Sequence, residues 1–258
     1  MIDNEYFRQY RKQLGFSNQN SIKDFLQAKD IKPNIDFQYI EDLNARLKNI
    51  IVKINDIVSE NIKCNDLDLF KTDYIDKPFQ LIKENGILHR LNNQGRRPEE
   101  VYFSWMRGFI LSKYFLKALS FIFEVEISQI YSIGDDDFRN IETFKRTPKA
   151  DIEIQLNDRE KIRIEMQSGF GGINDIKQHK VLVAKKVFGD NAYHTIVVHF
   201  DIYNGQAAFV KIDAINDNDI NWITRQQMEG QTVFNINQNY FIWKLMQEPI
   251  KYKDMIFD

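Results

Sequence analysis

The chain has 258 residues, of which 43% are hydrophobic and 13% aromatic, and its formal net charge is −2 at pH 7. This composition excludes a disordered chain, and the single cysteine excludes both an internal disulfide and a cysteine-based zinc site. No signal peptide is visible, and the most apolar stretch, residues 109–123, is too short and too charged to span a bilayer. We therefore expect a cytoplasmic protein with no membrane partner.

Positive charge is concentrated in two stretches. Residues 77–117 contain eight Lys or Arg and three Glu, a local charge of +5, and residues 161–186 contain six Lys or Arg and two acidic residues, a local charge of +4. A DNA-binding protein with an acidic metal site fits this distribution. An ordinary surface of mixed charge explains it equally well.

The first 77 residues are predicted to be a helical region. Hydrophobic spacing predicts helices over residues 4–14, 21–28 and about 36–61, and residues 62–77 read as an irregular acidic connector. The basic side chains of the first two helices suggest DNA recognition, and dimerisation is the other role considered for this region. A helix-turn-helix is only an alternative, because short helices are common without DNA.

Residues 78–258 are predicted to hold the main domain with a C-terminal extension. A short helix over 78–85 precedes a loop whose side chains suit bidentate reading of bases, namely Asn92, Asn93, Gln94, Arg96 and Arg97. The alternative is a solvated turn before a helix, since Pro98 favours the first helical position. An aromatic stripe then predicts one helix over 98–121 that packs on a sheet.

A β-hairpin is the organising feature of the chain. Residues 126–133 read as a first strand and 134–137 as a solvated acidic turn. Apolar residues then alternate over 152–156 and 162–166 around a turn centred on Asp158. In this register Glu153 faces Arg163, and Asp151 faces Glu165 at about 5 Å between Cβ atoms. Opposed like charges are destabilising, so a divalent cation held by Asp151 and Glu165 is the expected compensation.

Gln167 follows on the same face of the second strand and can orient a water or a phosphate oxygen, but it cannot act as a base. A glycine loop over 168–172, a helix from Asn174 or Asp175 to 188 and strands over 193–203 and 207–212 are predicted next. Lys177, His179 or Lys180 can supply a positive charge beside Gln167. The signals after Trp222 do not distinguish strand from helix.

Pro148, Asp151 and the Glu165-Met166-Gln167 triplet resemble the PD-(D/E)XK nuclease superfamily, in a variant with Gln in place of Lys and two residues between Pro148 and Asp151. The resemblance covers about 60 residues and implies an α/β fold with a mixed sheet in the order αβββαβ. It implies Mg²⁺ bound by Asp151 and Glu165, with Glu100 or Glu99 of the first core helix as a further ligand. Catalysis falls to Asp151, Glu165 and Gln167, and Lys177 and Lys180 are candidate DNA contacts.

Among such nucleases the chain is most similar to type II restriction endonucleases, which implies a homodimer cutting duplex DNA at a short specific site. One alternative is a mobile-element or repair nuclease with the same site and little sequence preference. The other is a non-catalytic DNA-binding or regulatory module in which the hairpin carboxylates make only surface contacts.

Overall fold

The computed structural model describes residues 4–28, 31–91, 96–134, 150–157, 160–226 and 230–257. These ranges form a mixed α/β fold, as predicted. Their α-helices are α1 Asn4–Leu14, α2 Gln19–Leu26, α3 Phe37–Ile57, α4 Leu67–Lys71, α5 Lys77–Glu84, α6 Pro98–Tyr114, α7 Leu116–Phe123 and α8 Gln178–Asn191. Their strands are β1 Ile130–Ser132, β2 Ile152–Gln155, β3 Lys161–Gly169, β4 Asp175–Lys177, β5 His194–Asp201, β6 Gln206–Lys211, β7 Trp222–Arg225, β8 Gln231–Asn235 and β9 Trp243–Lys244.

Two sheets organise these strands. The main sheet has the order β1-β2-β3-β5-β6-β9, in which only the β3–β5 pair is parallel. A smaller antiparallel sheet has the order β4-β8-β7. Apart from the insertion of β4, the chain passes through helix, three strands, helix and strand in the predicted αβββαβ order.

The main sheet is covered on both faces because its side chains alternate. On one face, Ile164 of β3 and Val198 of β5 join a core with residues of α3, α6 and α7. On the other, Val197 of β5 joins a smaller core with Val181 of α8 and Phe234 of β8. Glu165 and Gln167, the predicted catalytic residues of β3, lie on the same face of the sheet as Val197 and therefore on the α8 side.

Tertiary packing divides the single helix predicted over 98–121. Phe115 lies between α6 and α7 with φ −85° and ψ 6°, outside helical geometry. Its ring is fully buried, stacks on Phe200 at 4.0 Å between centroids and meets Trp243 edge-on. The chain has neither proline nor glycine at this point, so the sequence carried no signal of the break.

Three further predictions of local structure were wrong. The first strand, predicted over residues 126–133, is only Ile130–Ser132, because Ile127–Gln129 forms a 3-10 helix. Residues 62–77 are largely helical rather than irregular, because Asp66 accepts a hydrogen bond from the Leu69 N–H at 2.8 Å and caps α4. A π-helical turn, Thr72–Asp76, then joins α4 to α5. The helix expected from Asn174 or Asp175 begins only at α8, because Asp175–Lys177 pairs with β8 as strand β4.

The first helices differ in how they join the core. α1 and α2 bury no residue, whereas α3 is tied to α6 by a buried hydrogen bond from the Tyr102 hydroxyl to Asn44 Oδ1 at 2.6 Å. The division at residue 77 stays a prediction, although α3 shares the core of the later residues. No helix in the described ranges has the length and apolarity needed to cross a membrane.

Candidate active site

The hairpin has the predicted register. Ile152 pairs with Ile164 and Glu153 with Arg163 across β2 and β3. Glu153 is held by Lys161 at 2.8 Å and lies 3.7 Å from the Arg163 guanidinium. The β2–β3 pairing ends at Ile152 and Ile164; Asp151 immediately precedes β2, and Glu165 follows Ile164 on β3. The turn residues 158 and 159 lie outside the described ranges.

Asp151 is fixed where β1, β2 and β3 meet. Its carboxylate accepts a hydrogen bond from the Met166 N–H at 2.7 Å. Its carbonyl accepts hydrogen bonds from the Ile133 and Gly134 N–H groups at 3.0 and 3.2 Å. A Cβ atom at Gly134 would lie 3.2 Å from the Asp151 Cα, so a glycine suits this close approach. The backbone therefore orients the carboxylate toward β3.

Glu165 has a cation from α8 as its partner. Its side chain is only 12% exposed, and Lys180 Nζ makes a salt bridge with it. The pKa of the neighbouring His179 is lowered by partial burial and by the charges of Lys177 and Lys180, against the opposing charge of Glu165. Of the three candidate cations, the structure thus brings Lys180 to the carboxylate.

These contacts change the reasoning that led to a metal. Repulsion between the two carboxylates was expected to require a divalent cation, but Lys180 and the Met166 N–H already compensate the charges of Glu165 and Asp151. Metal binding is therefore not needed to hold the hairpin together. It would instead be a functional property, in competition with Lys180 for Glu165.

Gln167 is half-buried, and within the described ranges its side chain makes no hydrogen bond. It pairs across β3 and β5 with His199, a residue that sequence reasoning missed. His199 is 3% exposed, and its Nε2 lies 2.8 Å from Asn174 Oδ1. Burial lowers the pKa of His199 to about 4, despite the nearby Asp201 and Asp175, so its imidazole is neutral at pH 7. An imidazole in the middle of the apolar run 193–203, which also contains His194 near its start, was its signal in the sequence.

Asp175 ties the small sheet to the side of this site. Its carboxylate receives two hydrogen bonds from the Arg225 guanidinium, at 2.8 and 3.2 Å, and one from the Asn235 amide at 2.9 Å. The sequence suggested a helix cap at this position. Its actual partners lie 50 and 60 residues away in the sequence. Contacts at such a separation cannot be predicted from the pattern of neighbouring residues.

The first turn of α6 is a structural junction. Glu99 is 1% exposed and accepts a hydrogen bond from the Asp36 N–H at 2.7 Å. Burial alone raises the pKa of Glu99, but backbone hydrogen bonds and Arg97 lower it overall. The Arg97 guanidinium lies 3.4 Å from Glu99, 3.6 Å from Asp36 and over the Tyr39 ring. Arg97, a predicted DNA contact, thus already joins α6 to α3.

The remaining predicted site residues are not drawn into this cluster. Glu100 and Arg96 are exposed, and Asn92, Asn93 and Gln94 lie outside the described ranges. Across the residues that the structure describes, no three His, Cys, Asp or Glu side chains lie close enough to hold a metal ion. Asp151, Glu165 and Glu100 therefore do not form a three-residue metal cluster.

Two carboxylates nevertheless suit Mg²⁺. This ion is commonly bound by one or two carboxylates together with waters and substrate phosphates rather than by a cage of protein ligands. Asp151 and Glu165 supply hard oxygen donors from adjacent strands, and the Met166 carbonyl is a third oxygen on the same backbone. The donor chemistry fits, with Lys180 as the group that a metal would displace from Glu165.

Comparison with known proteins gave only weak structural similarity. No family model matches the chain, and no curated protein matches it. Among solved structures, a Holliday junction resolvase from Archaeoglobus fulgidus, an archaeal hyperthermophile, aligns at 12% identity with a TM-score of 0.28. The alignment covers 40% of this chain and 80% of the resolvase. A similarity at this level is too weak to assign a family.

Proposed function

We propose that this protein is a Mg²⁺-dependent endonuclease that hydrolyses phosphodiester bonds of DNA. The observation that carries the proposal is that the Asp151 carboxylate accepts a hydrogen bond from the N–H of Met166, the residue after Glu165, while a cation from α8 contacts Glu165. A phosphodiesterase needs oxygen ligands for a metal and a positive charge near the phosphate. The β2–β3 hairpin provides the oxygen ligands, and Lys180 of α8 provides the positive charge.

Each side chain has a distinct task in this proposal. Asp151 and Glu165 would hold Mg²⁺, which when bound would lower the pKa of a water and neutralise charge on the phosphate. The Met166 N–H keeps the Asp151 carboxylate in place. Lys180, if released from Glu165, would donate a hydrogen bond to a phosphate oxygen. Gln167 orients the attacking water through its amide, since it has no titratable group with which to take the proton.

The finer form of the proposal is a type II restriction endonuclease that acts as a homodimer on duplex DNA. A mobile-element or repair nuclease would use the same residues with little sequence preference, and a basic aromatic groove beside β3, described below, favours it. A non-catalytic DNA-binding module would bind DNA without any cleavage.

Incubation with plasmid and phage DNA, followed by mapping of the ends, separates these functions. Discrete ends that require Mg²⁺ support the restriction endonuclease, and Mg²⁺-dependent ends without sequence preference support the repair or mobile-element nuclease. DNA binding in Ca²⁺ without cleavage in Mg²⁺ or Mn²⁺ would refute the nuclease proposal. The Asp151→Asn variant is the control for contaminating nucleases, because it should lose cleavage in every case.

A further inference from the structure

A groove between α3 and α6 has a chemistry that the proposed active site does not use. Its volume is about 760 Å³, and its lining residues come from α3, from α6 and from the chain at the ends of β3 and β5. Arg46 and Lys53 are seven residues apart on α3 and therefore share one helix face. Phe103 and Arg107 are four residues apart on α6 and likewise share one helix face. One row of side chains from α3 and one from α6 therefore border the groove.

The groove is basic. Arg46, Lys53 and Arg107 line it, and none of its lining residues within the described ranges is acidic. In the described part of the chain none of these three cations makes a salt bridge, whereas Lys48, on the same helix, is paired with Asp76 at 2.7 Å. Arg96 adds a fourth positive charge near Arg107. Although the net charge of the chain is −2, positive charge is therefore gathered along this groove in the described part of the chain.

The groove is also aromatic. The Arg107 guanidinium lies 4.5 Å from the centroid of the Phe170 ring and 5.9 Å from that of Phe103. Phe170 is 59% exposed although it is a large apolar side chain. Exposed aromatic rings interleaved with cations are the surface on which single-stranded nucleic acids stack their bases while the cations hold the phosphates.

Position and width favour a single strand over a duplex. Ser168, which lines the groove, is two residues from Met166 on β3, or about 7 Å along the strand. Met166 is the residue whose N–H binds Asp151, so the groove begins about 7 Å along β3 from that contact, on the α6 face of the sheet, whereas the Glu165 and Gln167 side chains lie on the α8 face. The groove volume of about 760 Å³ lies in the range of small-ligand sites, which is wide enough for one or two nucleotides and not for a duplex.

We propose that this groove binds a single-stranded segment of nucleic acid, with Phe170 as a stacking platform and Arg46, Lys53 and Arg107 as phosphate contacts. The proposal deepens the proposed nuclease function, on which its biological meaning rests. It makes the substrate a DNA in which a single-stranded segment adjoins the scissile phosphate, as in flaps, overhangs or branched DNA.

Binding measured without divalent metal tests the groove independently of cleavage. Fluorescence anisotropy in EDTA would compare a labelled 15-nucleotide oligothymidine with a 15-base-pair duplex, on the full chain. We expect Phe170→Ala to weaken binding of the single strand by roughly 5- to 150-fold, the range for loss of one stacked base. Arg46→Glu with Lys53→Glu should make the slope of log K against log salt shallower by about 1.4, because two phosphate contacts are lost.

Matched controls are available on the same chain. Phe25→Ala removes another phenylalanine that is 59% exposed, on α2. Lys244→Glu makes the same charge change as Lys53→Glu alone, at an exposed lysine of β9, an edge strand of the main sheet. Both controls should bind the single strand like the wild type, and circular dichroism would confirm that every variant is folded.

The outcomes separate this proposal from that of the nuclease. The groove proposal would be overturned if the groove variants bound the single strand as tightly as the wild type, or if the controls lost as much affinity as the groove variants. It would also be overturned if the groove variants lost as much affinity for the duplex as for the single strand, since these residues would then be general contacts to the DNA backbone. A selective loss of affinity for the single strand supports the groove proposal even if the protein cleaves no DNA. Groove variants that cleave DNA and keep the wild-type affinity for the single strand would support the nuclease proposal and refute the groove proposal.

Discussion

Replacement of Lys180 by methionine tests whether Lys180 and a metal compete for Glu165. The change keeps most of the apolar stem and removes the charge, leaving a carboxylate with only 12% exposure without its cation. Exposed ion pairs contribute about 0–1 kcal/mol and breaking buried ones costs about 3–5 kcal/mol. This pair is intermediate, since Lys180 is 29% exposed, so we expect a loss of about 1–2 kcal/mol, or roughly 2–8 °C in melting temperature.

Magnesium should reverse this loss. In the wild type the ion must displace Lys180 from Glu165, whereas in Lys180→Met it need not. If removal of the competition tightens the dissociation constant tenfold, the stabilisation by saturating Mg²⁺ grows by about 1.4 kcal/mol. The DNA cleavage rate should nevertheless fall, because the phosphate loses a donor. Tighter metal binding together with slower cleavage is the expected signature.

The assay is thermal unfolding at increasing Mg²⁺, with Lys185→Met as the matched control. Lys185 lies on the same helix at 30% exposure, but its partner Asp217 is 79% exposed. Its replacement should change stability little and leave the effect of Mg²⁺ as in the wild type. An effect of Mg²⁺ in Lys180→Met that is equal to or smaller than that in the wild type would refute the competition and, with it, Glu165 as a metal ligand.

Three further predictions follow from the site. Gln167→Ala should lower the cleavage rate by about 10²-fold with DNA affinity in Ca²⁺ unchanged, as for a positioning group; equal rates would make it only a strand residue. Burial lowers the pKa of His199 from 6.5 to about 4, so between these two pH values the unfolded state binds more protons than the folded state. The free energy of unfolding should therefore fall by at most about 3 kcal/mol as the pH drops through this range. The midpoint of urea unfolding should depend less on pH in His199→Gln than in the wild type. Arg97→Ala should lower the melting temperature through its contact with Glu99, whereas Arg96→Ala should leave it unchanged and weaken cognate more than random DNA binding in competition assays; a uniform loss would indicate backbone contact.

The hairpin could be predicted because its signal is local. Alternation of Ile152 and Ile154 with polar residues, mirrored by Ile162 and Ile164, fixes both the register and the face. The same alternation predicts that Asp151 and Glu165 face one another. A strand register can be predicted from the sequence where hydrophobic alternation on one strand matches that on its partner.

The missed features depend on contacts between distant parts of the chain. Strand β4 has three residues and exists because β8, more than fifty residues later, pairs with it. The break at Phe115 comes from its stacking on Phe200. Likewise, three cations in one turn of sequence were equivalent candidates beside Gln167, and only the seating of α8 on the sheet brings Lys180 to Glu165.

The premise about charge repulsion shows a similar limit. The sequence indicated that Asp151 and Glu165 oppose one another but not what compensates them. A backbone N–H and a lysine supply that compensation in the folded chain. The presence of metal therefore has to be established by its effect on binding and cleavage rather than from the stability of the hairpin.

The most direct test of the central claim is cleavage of plasmid DNA by the wild type and by Asp151→Asn, purified in parallel, in Mg²⁺ and in EDTA. The proposed site predicts nicked or linear product only for the wild type in Mg²⁺, and isothermal calorimetry should show divalent binding that the variant loses. Intact plasmid in every lane with no divalent binding, or equal cleavage by both proteins, would contradict a nuclease built on Asp151 and Glu165.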